Sequence, residues 1–342
     1  MFLDTPNISN SIRVQGKGYN LPSTPLAVAV SPEEVKTNAL GWRNLEIATR
    51  ALHRDGIVIL QDVIDHSKLG FLNDKMLGDA ELLQKADYPI PYNFHKGNVQ
   101  QNPPITKTYF DPEIFLNPLV VQVTSSILGP RPRLSFVSGN TALAHSPTRP
   151  PQSQPIHSDA DFEHPNCPFA FVINIGLVEM NPKNGSTEFW LGTQNEGFES
   201  QEEVRGERTR IRTDVLDSRR KVRAPVQPTV ATGSVIIRDM RLWHGGKPNY
   251  SDGNRIMLAM IHFAPWYRNP MTFTAAEELK PLIDKYKDTL QVQVKFAVEE
   301  EVLKQYLRNC QDHKYDFGQQ DEIDDGVFVG ILFEEHNGML EG

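Results

Sequence analysis

Residues 235–263 read VIIRDMRLWHGGKPNYSDGNRIMLAMIHF. Two runs of β-branched and large apolar residues enclose a segment rich in Gly, Asn, Pro and Asp, as two strands divided by a turn would. The second run opens on Arg255. Every second side chain of a strand shares a face, so Arg255 falls with Met257, Ala259, Ile261 and Phe263. An arginine on a largely apolar face needs an anion, because a buried unpaired charge is very costly. His244 ends the first run, followed by Gly245 and Gly246, and Arg255 comes 255 − 244 = 11 residues later.

Similar short runs begin near residue 133: RLSFVSGNTALAH (133–145), PFAFVINIGLV (168–178), STEFWLG (186–192), PVQPTVATGSVIIRD (225–239) and RIMLAMIHFAPWY (255–267). Clusters of Pro, Gly and Asn divide them, which suggests a sandwich or barrel. Upstream the pattern is helical. Ser31 suits an N-cap, with Pro32 at the first helical position and Glu34 three residues on, for a helix that Gly56 ends. IVIL (57–60) is a short strand, and helices are expected over 66–77 and 111–129. Helical patterns return over 274–286 and 298–310. The expected fold is mainly β with flanking α: a double-stranded β-helix (jelly roll, cupin-like) core braced by helices. One domain is expected over 1–342, with an extended arm over 1–31, the β core over about 133–268, and a helical extension over about 271–342.

Composition narrows the class. The chain has 342 residues, 39% of them hydrophobic, enough for a sizeable core. A net charge of −8 argues against a nucleic-acid partner, which would call for a basic footprint. No window reaches the ~20 apolar residues of a membrane span. MFLDTPNISNS shows no basic stretch leading into an apolar one, and MLEG at the end is no peroxisomal address. Cys167 and Cys310 are too few for a disulfide framework or a thiolate metal site. A cytoplasmic protein with a small-molecule substrate and neither a nucleic-acid nor a membrane partner is expected, with a homodimer left open.

Residues 154–162 read QPIHSDADF. His157 and Asp159 are two apart, so an extended backbone aims both the same way. Alone, the pair reads as a polar turn; a metal site needs a third ligand from elsewhere. Of ten histidines, His244 stands out by its glycines and the arginine beyond. His145, His164 and His262 read as core or surface residues.

In PFAFVINIGLV the bulky residues Phe169, Phe171, Ile173, Ile175 and Leu177 share one face. The small ones, with Asn174 among them, share the other, which suggests a cavity on that side.

Taken together, LHRDGIVILQDVID (52–65), the H-x-D of His157 and Asp159, NPKNGSTEFWLGT (181–193), His244 and Arg255 carry a resemblance. Over roughly residues 45–268 the chain resembles the phytanoyl-CoA dioxygenase (PhyH-like) family of iron(II) and 2-oxoglutarate dependent oxygenases. The resemblance implies that His157, Asp159 and His244 hold Fe(2+) and carry the catalysis, leaving three positions for 2-oxoglutarate and O2. It implies that Arg255 takes the distal carboxylate of 2-oxoglutarate, a task suited to a planar guanidinium. Gln154 and Thr187 match positions where relatives place polar cofactor contacts, and Asn174, on the small face of its strand, is placed to reach the iron or 2-oxoglutarate. The implied reaction oxidises a C–H bond of a small molecule, with release of succinate and CO2. A secondary metabolite is the expected substrate, and hydroxylation, desaturation or ring rearrangement the outcome. LGTQ (191–194) stands where many relatives read PGSH, so Gln194 replaces a histidine that is not a ligand. The presence of Asp159 argues against halogenation, which needs that position open to halide. Two other classes use similar parts: a zinc hydrolase on the same three ligands, and a non-catalytic jelly-roll binding protein. Arg255 separates the first from an oxygenase, since a hydrolase needs no partner for a distal dicarboxylate.

Two segments lie outside this constellation. Residues 204–223 carry eight basic side chains and read as a solvated excursion, with a lid or an acid-docking site as the functional alternative. The polar loop 91–104 places Asn98 and Gln100 where relatives roof the pocket.

Overall fold

The computed structural model describes residues 21–86, 89–147, 150–204, 207–308 and 316–319. In chain order, β1 (Leu26–Ala29) leads to two helices, α1 (Pro32–Thr37) and α2 (Trp42–Asp55). The sequence suggested one helix here. Ser31 does form the expected capping box with Glu34, but Asn38 takes a left-handed φ of 54° and stops the first helix. The chain restarts from an extended Gly41, and Gly56, at φ 73°, ends α2 as expected. β2 (Ile57–Gln61) and α3 (His66–Lys85) follow, then β3 (Asn98–Gln100). The region 111–129 also divides, into α4 (Pro112–Phe115) and α5 (Pro118–Leu128). Pro118 disfavours a helical Asn117, whose side chain instead accepts from the N–H groups of Leu119 and Val120.

The central part runs β4 (Arg133–Ala142), β5 (Ala170–Gly176), β6 (Thr187–Phe189), β7 (Gln201–Val204), β8 (Glu207–Ile211), α6 (Thr213–Val222), β9 (Val235–Asp239), β10 (His244–Gly246) and β11 (Arg255–Phe263). The last part mixes β12 (Phe273–Ala276), α7 (Lys280–Ile283), β13 (Gln291–Val292), β14 (Val294–Ala297) and α8 (Glu299–Gln305). It is therefore not the purely helical extension expected. The alternation of QVQVKFAV lets β13 join the main sheet beside β4 and lets β14 pair with β12. The expected N-terminal arm differs too: residues 26–29 lie parallel to β2 as an edge strand, and residues 1–20 lie outside the described part.

Eight strands form the main sheet, ordered β1-β2-β9-β5-β11-β4-β13 with β3 also on β4. From β2 to β4 all neighbours are antiparallel. One face is covered by helices: Leu72 and Met76 of α3 and Val120 and Val123 of α5 are buried in one cluster with Ile173, Ile175, Leu258 and Met260. His262 faces that side, where its Nδ1 lies 3.0 Å from the Thr124 hydroxyl; it is a core histidine, as expected. The other face of the sheet borders a cavity. A short ribbon, β6 with β10, contributes the far wall. No helix among the described residues is long and apolar enough to cross a membrane.

Candidate metal centre

Register decides what the main sheet presents to the cavity. Ile261 pairs with both Phe136 and Val172, and Val172 with Arg238. Ala259 pairs with Asn174, Met257 with Asn140, and Arg255 with Ala142. These residues line a cavity of about 270 Å³. The small face of β5 and the Arg255 face of β11 are the two faces singled out in the sequence, and they point into the same space.

The ligands come from the opposite wall. β9 turns after Asp239, so His244 opens a separate strand instead of ending the first. His157 and His244 form an antiparallel bridge, each N–H donating to the other's carbonyl at 2.9 Å. This sets the imidazoles side by side, with ring centroids 4.3 Å apart. Each Nδ1 lies against a carbonyl two residues back, His157 on Pro155 at 2.8 Å and His244 on Leu242 at 3.0 Å. A carbonyl only accepts, so Nδ1 carries the proton and Nε2 keeps its lone pair for a metal. Asp159 Oδ1 lies 3.8 Å from Nε2 of His157 and 3.7 Å from Nε2 of His244. One ligand atom from each residue lies within 4.8 Å of the others. A first-row ion with bonds of about 2.0–2.2 Å suits donors at such separations.

Electrostatics favours the ligand forms. Burial holds both imidazoles below the ordinary histidine range, His244 well below, with the Arg238 cation adding to the effect there. Burial pushes the Asp159 carboxyl up, but Arg238 and the neighbouring histidines outweigh it and hold that group well below the usual carboxylate range. Two neutral imidazoles and a carboxylate are the donor set that non-haem iron(II) takes on one face.

Arg255 is buried, and burial alone lowers its guanidinium to about 10. It donates to the carbonyls of Asn184 and Gly185, and no carboxylate among the described residues pairs with it. The N-G-S-T stretch explains the placement. Gly185 sits at φ 77°, and a Cβ there would meet the Lys247 carbonyl at 2.5 Å, so only glycine carries the chain past β10 while offering its carbonyl to Arg255. Thr187, two residues on, lines the cavity opposite Gly246.

The other expected contacts divide. Gln154 is buried on the cavity wall; its Oε1 accepts from the Gly246 N–H at 2.8 Å and its Nε2 donates to Asn93 at 3.2 Å. Asn93 donates onward to Gln100 at 2.9 Å and Asn140 at 3.0 Å. Gln100 and Asn98 line the same space. Asn174 also faces the cavity, but both ends of its amide are engaged: Oδ1 accepts from Arg238 at 3.1 Å and Nδ2 donates to the Leu258 carbonyl at 3.3 Å. Gln194 is not among the lining residues; it donates to the His53 carbonyl and packs beside Gly56. The basic excursion folds as β7, β8 and α6. Three of its arginines pair with nearby carboxylates, Arg210 with Glu202, Arg212 with Asp214 and Arg220 with Asp217, while Arg223 reaches Asp55 at the end of α2.

Sequence reasoning missed Arg238, which donates to Asp159 Oδ2 at 2.7 Å. The signal was present: an arginine inside VIIRD raises the same question as Arg255 inside RIMLAMIHF. It also missed Phe94, whose ring lies 4.6 Å from that of His157 and whose φ is 66°. Nothing in PYNFHKG marks Phe94 as a neighbour of a ligand.

The phytanoyl-CoA dioxygenase (PhyH) family model matches residues 52–257, a span that holds all three candidate ligands and Arg255. The chain belongs to this family, and so to the 2-oxoglutarate-dependent non-haem iron dioxygenases, with iron(II) as metal and 2-oxoglutarate and O2 as co-substrates. Among the solved structures it is similar to are three. EctD from S. alaskensis, crystallised with 2-oxoglutarate and 5-hydroxyectoine, is 16% identical over 76% of this chain and 89% of its own, with a TM-score of 0.49. The epimerase SnoN, in complex with Fe3+, α-ketoglutarate and nogalamycin RO, is 14% identical over 65% of this chain and 84% of its own, at 0.49. EvdMO1 is 17% identical over 65% of this chain, at 0.48, and this chain spans 50% of its length.

Proposed function

We propose that this protein couples the oxidative decarboxylation of 2-oxoglutarate to oxidation of a C–H bond in an uncharged small molecule, a secondary metabolite. The main sheet and the β6–β10 ribbon are read as the two sheets of a jelly roll, with the chemistry between them. The observation that carries this reading is that the three ligands and a buried arginine without a carboxylate partner open onto one cavity. Iron(II) bound with 2-oxoglutarate and O2 supplies an oxidant able to attack C–H bonds, with succinate and CO2 as by-products.

The protein's own contribution is placement. His157, Asp159 and His244 would hold the ion, with Nε2, Oδ1 and Nε2 as the atoms that face one another. Arg255 holds the distal carboxylate, and the Asn184 and Gly185 carbonyls fix the plane of its fork. The small face of β5 lines the cavity with Val172 and Asn174 and leaves space there. The amides of Asn93, Asn98, Gln100, Asn140 and Gln154 form a neutral wall that offers hydrogen bonds to the substrate. Lys247, which also lines the cavity, is paired with Glu188 at 3.0 Å, so it does not mark the wall for an acid. Phe94 is half exposed at the side of His157 and shields that ligand from water. Which C–H bond the amide wall brings to the metal decides between hydroxylation, desaturation and rearrangement.

The test is anaerobic. Iron(II) and 2-oxoglutarate together should give a weak visible charge-transfer band, and admitting oxygen should yield succinate. Ala at His157, Asp159 or His244 should abolish the band with the fold kept. Succinate at wild-type level from any of these variants would remove that residue from the ligand set.

A further inference from the structure

Arg238 places a second cation in the metal site. Its Nη2 donates to Asp159 Oδ2 at 2.7 Å and its Nε to Asn174 Oδ1 at 3.1 Å. Arg238 is 5% exposed and lines the cavity, and its Nη1 is buried without a hydrogen-bond partner in the protein. Asn174 is itself tied to the Leu258 carbonyl, so the guanidinium is held from β5 while it grips a metal ligand. The charges of the inner site then count simply. Asp159 contributes one negative charge, Arg238 and Arg255 two positive ones, and the imidazoles none. Lys247 is balanced by Glu188, and Asp161 lies at the exposed rim. Without Arg238 the inner site would be neutral before any ion enters. With it, a divalent ion enters a pocket already carrying one positive charge, and its carboxylate ligand is shared with a guanidinium.

We propose that Arg238 makes binding of the metal and of 2-oxoglutarate mutually dependent. The divalent ion alone is held weakly, because Arg238 draws charge from Asp159 and repels the ion. The dianion, with one carboxylate on Arg255, offsets the excess. Each ligand then raises the other's affinity by the same factor, as linkage requires. Arg238 also keeps Asp159 Oδ2 occupied, which leaves Oδ1 as the single ligand oxygen. Arg238 acts here through Asp159 and is a positioning residue. The inference rests on the iron and 2-oxoglutarate reading above.

The experiment uses the full chain without oxygen and follows Mn(II) binding by the loss of the free-ion EPR signal, with and without saturating 2-oxoglutarate. For the wild type, 2-oxoglutarate should tighten Mn(II) at least tenfold. Arg238→Met should bind Mn(II) alone several-fold more tightly than the wild type, and the coupling factor should shrink by a similar ratio. Arg238→Lys keeps the charge and should keep most of the coupling. Unchanged coupling in the Met variant, with Mn(II) alone bound no tighter than by the wild type, would show a mere prop for Asp159 and overturn the proposal. A wild-type coupling below about threefold would overturn it even if the Met variant fails to fold. Tight Mn(II) binding that ignores 2-oxoglutarate sinks this inference but spares the metal site, whereas no Mn(II) binding under either condition sinks both.

Discussion

Arg255 and His262 lie on one strand, and each is buried without a counter-charge among the described residues, yet they do opposite things. Arg255 keeps its charge, since a guanidinium stays protonated in proteins, and so requires an anion. Charge-assisted hydrogen bonds contribute roughly 1.5–3 kcal/mol each. Arg255→Ala should therefore weaken 2-oxoglutarate binding by on the order of tenfold to several-hundredfold, measured by titrating the charge-transfer band. Arg255→Lys should recover part, because an ammonium lacks the fork, and the metal should still bind in both variants. His262 instead gives up its charge: burial pushes it down to about 4. A histidine held below its unfolded value costs nothing above pH ~6.5. As pH falls toward 4, the unfolded chain takes up a proton that the folded chain refuses, so stability is lost on acidification. Between pH 7 and 5 this should amount to about 2 kcal/mol. Denaturant melts should show that the stability lost between the two pH values is larger by that increment in the wild type than in His262→Gln, because His157 and His244 contribute to both.

At the level of elements, the N-G-S-T turn and the ribbon after it act as one part. Gly185 faces Lys247 and Asn249, and its carbonyl anchors Arg255. Gly185→Ala forces a left-handed alanine, at about 1–2 kcal/mol, into a contact that must also shift. Its melting temperature and its 2-oxoglutarate affinity should fall together. Gly70→Ala on α3 is the contrasting case. Its Cβ meets nothing within 4 Å, and the helix should gain about 0.5–1 kcal/mol with cofactor binding unchanged. If Gly185→Ala destabilises but leaves 2-oxoglutarate affinity intact, the carbonyl is not what positions Arg255. Element boundaries were legible where a local cap decides them, as at Ser31 and Gly56. They were misread where a single left-handed residue, Asn38, interrupts an otherwise continuous helical pattern.

For the whole molecule, ligands that bind only the folded cavity should stabilise all of it. At a hundredfold excess over its dissociation constant a ligand contributes about 2.7 kcal/mol. The melting temperature should therefore rise by a few degrees with Mn(II) and 2-oxoglutarate together. The triad-to-Ala variants should lose that rise while melting near the unliganded wild type. A rise of equal size in those variants would place the ligands elsewhere on the protein. Helices on one face of the main sheet make this coupling plausible in physical terms, since Leu258 and Met260 pack outward on the same strand that carries Arg255 and Met257 inward.

Strand periodicity, the helix caps and the order H-x-D, N-G-S-T, distal His and Arg were local features, and from them the sequence by itself determined a mainly β fold with flanking helices and singled out three candidate ligands and Arg255. It showed two cavity-facing stretches, on β5 and β11, because alternation is visible along one strand. It did not show that they face the same space, because that depends on register between strands. The tertiary structure alone decided that Asn174 is spent on Arg238, that Gln194 packs against α2, and that Arg223 of the excursion reaches Asp55 on α2. It alone brought Arg238 to Asp159, 79 residues away. A side chain's partner across a sheet is set by pairing and burial, and a lone arginine in an apolar strand announces a need for an anion without saying which one.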